Sequence, residues 1–243
     1  MICRGLMKVE IEKLDNYGRG ICYVNNKITF VENALPKEVV EIEITEENKK
    51  YNEGKVVKYI NVSNKRKKPI CPYFNNCGGC FLMSLDYQDT INFKKEKLES
   101  ILSKYANISA NIEVIHSKKH LEYRNKITLK VVDSKYGYYK NKTHELVEIN
   151  SCLLASKAIN KFITDLKYLN MSNGEVIIRS NYNDELLVVI KTKDNINIDM
   201  ANLKDSHKIA GIIVNDKVIK GDSHFVDIVN NKYFQISYDS FFQ

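Results

Sequence analysis

The sequence predicts a small closed β-barrel followed by an α+β domain with a mainly antiparallel sheet. Three observations predict it. Short alternating strands crowd the first sixty or so residues, a basic stretch and a cysteine-rich loop follow at 63–80, and amphipathic helical periods then alternate with strand periods to the end of the 243 residues. Hydrophobic residues make up 44% and charged residues 28%, with 10 Gly and 3 Pro, which excludes disordered and collagen-like classes. No apolar run approaches the ~18 residues of a membrane span, and Arg4, Lys8, Glu10, Glu12 and Lys13 interrupt the start where a signal peptide would need an apolar core. A cytoplasmic protein with no membrane partner is expected, and in that reducing compartment metal or catalytic roles for the 6 Cys outrank disulfides.

The barrel is read strand by strand. Val9, Ile11 and Leu14 form a near-alternating run, and Asp15 to Gly20 supplies turn chemistry. Ile21–Val24 and Lys27–Val31 flank Asn25-Asn26, a two-residue hairpin signal. Val39, Ile42 and Ile44 mark a fourth strand, and Tyr51, Val56, Val57, Tyr59 and Ile60 a fifth. Five short strands suit a closed barrel of the OB type, which removes exposed edges. Domain limits are set at 1–63 for the barrel, 64–240 for the α+β domain, and 241–243 for the opening of a further domain.

The positive charge is concentrated at the barrel exit. The net charge is +7, and Lys49 to Lys68 alone holds eight basic residues against one acid, Glu53. Lys65, Arg66, Lys67 and Lys68 can neutralise phosphates, giving salt-sensitive nucleic-acid binding. The competing reading is a solvated linker. Arg19, at a loop tip, is a further phosphate candidate. Tyr17 and Tyr23 could stack on unpaired bases, whereas Phe30 suits the barrel core.

In the second domain, Tyr87, Ile91, Lys94, Leu98, Ile101, Leu102 and Tyr105 fall on one helical face, capped by Ser84 or Asp86. Glu122–Val132, Tyr136–Tyr139 and Leu146–Ile149 read as strands, and Ala155–Leu169 as a second amphipathic helix through Ile159, Phe162, Ile163 and Leu166. Glu175–Ile178 and Leu186–Ile190 bracket the turn Asn181–Asp184. Ile209–Val214, Val218–Lys220 and Phe225–Ser237 complete the strands. Arg124 and Lys126 point to one strand face, away from Ile127 and Leu129. They suit an RNA cleft or, equally, a wet sheet face paired with Glu122.

The most specific pattern is Cys71-Pro72-Tyr73-Phe74-Asn75-Asn76-Cys77-Gly78-Gly79-Cys80, a Cys-x5-Cys-x2-Cys spacing. Three thiolates on a tight glycine-containing loop can face one point. Soft thiolates select zinc or an iron–sulfur cluster, and either site needs a fourth ligand. Cys152, beside the strand at Leu146–Ile149, is the best placed. Cys3 and Cys22 are more simply buried or free thiols. Zinc sites commonly use paired Cys units, and only one is present, which tilts the reading toward [4Fe–4S]. His116, His120 and His144 are too scattered to form a zinc unit.

The cysteine loop resembles the cluster-binding loop of the bacterial RNA uracil-C5 methyltransferases that act on 23S ribosomal RNA. Further landmarks occur in the family's order. Tyr17-Gly18-Arg19-Gly20-Ile21, Phe30-Val31 and Ala34-Leu35-Pro36 resemble its N-terminal TRAM barrel, an RNA-binding OB-like module. Tyr123-Arg124-Asn125-Lys126-Ile127 resembles the basic strand after the first helix. Gly137-Tyr138-Tyr139 and His144 to Ile149, followed by Cys152, resemble the segment delivering the fourth cluster ligand. Phe242-Gln243 resembles the opening of the Phe-x-Gln-x-Asn motif that begins the methyltransferase domain.

The resemblance implies a 4Fe–4S cluster on Cys71, Cys77, Cys80 and Cys152, a folded ribosomal RNA with an accessible uracil as partner, and S-adenosylmethionine as cofactor of the full-length enzyme. It gives Gln243 a cofactor contact. It places the catalytic Cys and the acidic base in a Rossmann-like domain after Phe-x-Gln. That domain is expected to be absent from this chain, leaving it inactive alone, as a truncated product or as the partner of a separate catalytic chain. A free-standing iron–sulfur or zinc RNA-binding protein without enzymatic activity is the alternative.

Overall fold

The computed structural model describes residues 5–204 and 206–241. Gln243 and Cys3 lie outside the described residues. The chain divides into two compact units. The first takes in the residues up to Asn75 together with Gly79–His116, and the second takes in Asn76–Gly78 and the residues from Ser117 on.

Six strands build the sheet of the first unit: β1 (Met7–Glu10), β2 (Lys13–Leu14), β3 (Gly20–Val24), β4 (Lys27–Glu32), β5 (Val39–Glu47) and β6 (Asn52–Asn61). Their order is β1-β5-β6-β4-β3-β2, antiparallel except for the parallel β4–β6 pair. The expected first run is therefore two strands. Residues 7–10 pair with β5 and residues 13–14 with β3, so one continuous stretch of chain joins the two edges of the sheet. Ile11 sits at the changeover, its N–H donating to the Glu38 carbonyl at 2.9 Å. The β3–β4 hairpin turns on Asn25 (φ 49°) and Asn26 (φ 61°). Two consecutive positive φ values are what a type I′ turn requires, and Asn tolerates them. Ile11, Cys22, Val31, Ala34, Val40 and Ile42 form the core.

The segment after β6 is held onto this sheet by a buried ion pair. The Glu38 side chain is 0% exposed and that of Arg66 14%. Arg66 Nε donates to Glu38 Oε1 at 2.6 Å and its Nη2 to Oε2 at 2.7 Å, a two-pronged geometry that suits a planar guanidinium. The remaining donors reach Asn33, Nη1 to Oδ1 at 3.1 Å and Nη2 to the carbonyl at 2.7 Å. Glu38 also accepts the Leu35 and Ser63 N–H groups, and Tyr59 lies under the guanidinium at 4.6 Å.

Helix α1 (Tyr87–Ala106) begins at Asp86, whose side chain accepts the Asp89 N–H at 2.8 Å, and ends at Asn107 in the left-handed conformation. Of the apolar face predicted for it, Ile91 is the buried residue, while Tyr105 is 74% exposed. Ile101 and Leu102 are half-buried and Leu98 is exposed, so the stripe marked by the 3–4 period is covered only in part.

In the second unit, seven strands follow the order β13-β12-β11-β10-β7-β8-β9. They are β7 (Lys126–Val132), β8 (Lys135–Tyr139), β9 (Leu146–Glu148), β10 (Gly174–Ser180), β11 (Leu186–Lys191), β12 (Ile209–Val214) and β13 (Lys217–Gly221). Only the β11–β12 pair is parallel. A separate hairpin joins β14 (His224–Val229) to β15 (Lys232–Ser237). Every residue of Leu186–Ile190 is buried, as expected of a central strand covered on both faces. On one face Leu187 and Val189 pack with Ile213 and the hairpin residues Phe225 and Ile236. Helix α2 (Lys157–Ile163) packs on β10 and buries Ile159, Phe162 and Ile163.

The predicted second helix is shorter than its pattern. It stops at Thr164, a 3-10 turn covers Leu166–Leu169, and a short helix α3 (Met200–Lys204) follows β11. The predicted strand at 122–132 begins only at Lys126. Upstream, Glu122 and Arg124 change partner, donating to the Leu153 and Leu154 carbonyls at 2.9 and 2.7 Å. No helix among the described residues is long and apolar enough to cross a membrane.

Removing the Glu38 carboxylate strands a buried guanidinium. Glu38→Ala is expected to cost about 3–5 kcal/mol of stability in urea denaturation. Lys65→Ala, which breaks an exposed pair with Asp89, should cost less than about 1 kcal/mol. Phe162→Ala, which empties a fully buried site, should cost about 3–5 kcal/mol.

Candidate functional site

The basic residues of the first unit divide into two kinds. Arg66 is committed to Glu38 and Asn33. Burial works against its charge, but the hydrogen bonds to Glu38 and the charges of Tyr59 and Glu38 outweigh it, and its pKa lies above the ordinary value. Arg19 is similarly engaged. It grips Asp15 through Nε and Nη2, both at 2.7 Å, reaches Glu53 at 3.3 Å, and lies over the Phe30 ring at 4.3 Å. Lys65 pairs with Asp89 of α1 at 2.8 Å, and that hydrogen bond raises its pKa. Lys67 and Lys68 are exposed. So are Tyr17 and Tyr23, whereas Phe30 is half-buried against Tyr51 and Arg19. Lys67, Lys68 and the exposed tyrosines face solvent, as do Lys49, Lys50 and Lys58, while Arg66 and Arg19 are engaged within the fold.

The four thiols expected to share a metal also divide. Cys71 and Cys80 belong to the first unit, Cys77 and Cys152 to the second. All four are thiols, not disulfides. Among the described residues, no group of three or more His, Cys, Asp or Glu side chains is placed to hold a metal ion. Cys22 is a core thiol, its pKa pushed up to about 11 by burial, with Glu12 adding to the effect.

Within the second unit, β8 organises the surroundings of two thiols. The Gly78 N–H donates to the Tyr139 carbonyl at 3.0 Å. A Cβ on Gly78 would stand 2.9 Å from that oxygen and 3.0 Å from the Asn141 nitrogen, so only glycine allows the approach. Tyr138, the neighbouring residue, has its hydroxyl buried without a well-formed hydrogen bond. Burial pushes its pKa far up, the charges of Cys152 and Cys77 add to the rise, and Arg124 opposes it. The Cys152 thiol lies within hydrogen-bonding reach of the hydroxyl. Cys77 and Cys152 supply soft sulfur donors of the kind that hold zinc or iron. These residues fit one side of a thiolate-held centre.

Lys126 and Arg179 are directly opposite across the β7–β10 pair. Burial lowers the pKa of both. Arg179 lowers that of Lys126 further, and Asp239 partly offsets the shift at Arg179. The Arg179 guanidinium donates to the Ser240 carbonyl, and Lys126 lies 5.9 Å from the Phe241 ring centroid. Sequence reasoning picked Lys126 but missed Arg179, Tyr138 and Glu38. Arg179 directly follows Glu175–Ile178, the run read as a strand. Glu38 follows Pro36-Lys37 and looks like an ordinary surface acid. No local pattern marks a buried partner.

Residues 6–57 match the TRAM domain. Along its whole length the chain is similar to proteins named as RNA methyltransferases. It is 30% identical to an uncharacterized RNA methyltransferase of Aquifex aeolicus over 98% of this chain and 60% of that protein. It is 29% identical to the 23S rRNA (uracil(1939)-C(5))-methyltransferase RlmD of Vibrio parahaemolyticus over 65% of this chain and 37% of that protein. In fold, it matches the Pyrococcus abyssi tRNA (uracil-54, C5)-methyltransferase, solved in complex with S-adenosyl-L-homocysteine. The TM-score is 0.73 at 22% identity, over 98% of this chain and 61% of that one. The chain thus spans about three fifths or less of the relatives it matches.

These matches overturn the expectation of an architecture that lacks a methyltransferase domain. Both the Aquifex protein and the Pyrococcus structure take up 98% of this chain within a methyltransferase, so that absence is withdrawn as a feature of the protein. The chain thus carries a TRAM-domain match and is similar, over part of their length, to proteins named as RNA methyltransferases.

Proposed function

We propose that the protein acts in the S-adenosylmethionine-dependent methylation of uracil C5 in RNA, with ribosomal RNA as substrate. The observation that carries this reading is similarity over 98% of the chain to an RNA methyltransferase, with a TRAM match at residues 6–57. The 23S rRNA activity in the name of the Vibrio relative favours ribosomal RNA. The fold neighbour acts on tRNA, which makes tRNA methylation the competing outcome. A cytoplasmic location follows from the substrate.

In this reading the first unit grips RNA. Lys67 and Lys68 contact phosphates, Lys65 contributes once drawn from Asp89, and Arg19 and Arg66 act chiefly by holding the loops in shape. Arg124 and Lys126 supply positive charge in the second unit. Cys71, Cys77, Cys80 and Cys152 hold a 4Fe–4S cluster, supported by their spacing and by the soft surroundings of Cys77 and Cys152. The cluster, when bound, supplies four iron–thiolate bonds that tie the loop at 71–80 to the segment at 152. Gln243 is assigned to the S-adenosylmethionine contact on the strength of its motif alone.

The test of activity is transfer of tritium from labelled S-adenosylmethionine to deproteinised ribosomal RNA and to tRNA, using the intact natural gene product. Labelled C5-methyluridine in ribosomal RNA is expected. Label confined to tRNA would move the substrate, and none in either would overturn the proposal. For binding, Lys67→Ala with Lys68→Ala should weaken single-stranded RNA binding at low salt. It should also flatten the plot of log affinity against log salt by about 1.4, roughly 0.7 for each lost phosphate contact. An unchanged slope assigns both lysines to solvent.

A further inference from the structure

Cys152 is the expected ligand most remote in sequence from the others, and its backbone is held in a way that no sequence pattern announces. Asn160, on α2, grips it from both sides. Its Oδ1 accepts the Cys152 N–H at 2.8 Å, and its Nδ2 donates to the Cys152 carbonyl at 2.9 Å and to the Ala155 carbonyl at 3.0 Å. The Ala155 N–H returns to the Cys152 carbonyl at 3.0 Å, closing a tight turn. The helix bearing Asn160 is itself fixed, because Ser156 caps it through the Ile159 N–H at 3.3 Å and α2 buries Ile159, Phe162 and Ile163. With the peptides on both sides of its Cα pinned, the sulfur keeps only rotation about χ1.

Tyr138 interacts with that sulfur. It sits on β8 between β7 and β9, opposite Val147. The preceding residue, Gly137, approaches β9 so closely that a Cβ would fall 1.9 Å from the Val147 carbonyl oxygen. That position admits only glycine, so β8 lies close against β9, and the buried Tyr138 hydroxyl, which lacks a well-formed bond, lies near the Cys152 thiol. A neutral thiol is a weak acceptor, whereas a metal-bound thiolate accepts a hydroxyl hydrogen bond readily.

We propose that Asn160 and Tyr138 are positioning residues for the Cys152 sulfur. Asn160 fixes the peptide from which it projects, and Tyr138 donates a hydrogen bond to the thiolate when it holds a metal. This rests on the reading of Cys152 as a ligand. Residues that orient a ligand in this way typically change metal affinity by about 10–100-fold when removed. Hydrogen bonds to cluster sulfurs tune the reduction potential.

The test is anaerobic reconstitution of the protein with ferrous iron and sulfide. Iron content, visible absorption, midpoint potential and the rate of iron loss to a chelator are then read. Tyr138→Phe is expected to retain its iron but to show a more negative potential, because the reduced cluster loses a donor. Asn160→Ala should lose iron about 10–100-fold faster, and Asn160→Asp, which keeps the acceptor for the Cys152 N–H, should fall between it and the parent. Parent-like potential in Tyr138→Phe together with parent-like iron retention in Asn160→Ala would overturn the proposal. If the parent takes up no iron, the cluster reading fails on its own. The positioning claim is then decided in metal-free protein by the iodoacetamide labelling rate of Cys152 relative to buried Cys22. A change of several-fold in Asn160→Ala upholds the clamp, and an unchanged rate rejects it.

Discussion

A carboxylate with no exposed surface cannot be left without partners, and in the first unit everything near Glu38 is arranged around that requirement. Its two oxygens accept from Arg66, from the Leu35 N–H and from the Ser63 N–H. Those partners come from the turn before β5 and from the segment after β6. Satisfying one buried charge therefore locks the exit of the sheet onto the connection between β4 and β5. A buried pair of this kind gains little over an apolar substitute, but it penalises every arrangement in which either partner is absent. Its contribution is to specify one path for the chain, and Lys67, Lys68 and the start of the cysteine loop leave from that path.

Pairing within the fold engages several cations of the basic stretch, although its lysines stay exposed and only Arg66 is drawn in. Arg66 and Arg19 meet carboxylates and lie on aromatic rings, and Lys65 and Lys55 meet Asp89 and Glu43. A guanidinium is suited to this role because it is planar, weakly hydrated and charged at every accessible pH. The basic residues next to them in sequence, Lys67 and Lys68, remain in water. Counting charge along the chain thus locates a nucleic-acid face, while hydrogen bonding within the fold decides which of its members are available to phosphate.

In the second unit, the surroundings of Cys77 and Cys152 depend on backbone constraints more than on the thiols themselves. Gly78 and Gly137 allow approaches that any side chain would block. Asn160 satisfies three backbone groups at the 152–155 turn. The partner change near Arg124 follows from the same turn, since Leu153 and Leu154 accept from Glu122 and Arg124. The predicted strand therefore starts four residues late, and the charge of Arg124 acts on Tyr138.

Much of the architecture was written into local patterns. The Asn25-Asn26 turn, the alternation of Ile127, Leu129 and Val131 and the cap at Asp86 all act over a few residues, and short-range sterics and periodicity suffice to read them. What the sequence could not disclose was which polar residues become buried partners. Glu38 meets Arg66 across 28 positions and Asn160 grips a turn eight residues back, while Arg179 faces Lys126 across two strands. Nor could it disclose that Ala155–Leu169 breaks into a helix and a 3-10 turn, or that β11 and β12 run parallel. Desolvation and strand pairing exist only once distant segments have met, so tertiary structure alone decided which charges stay in water and which hold the fold.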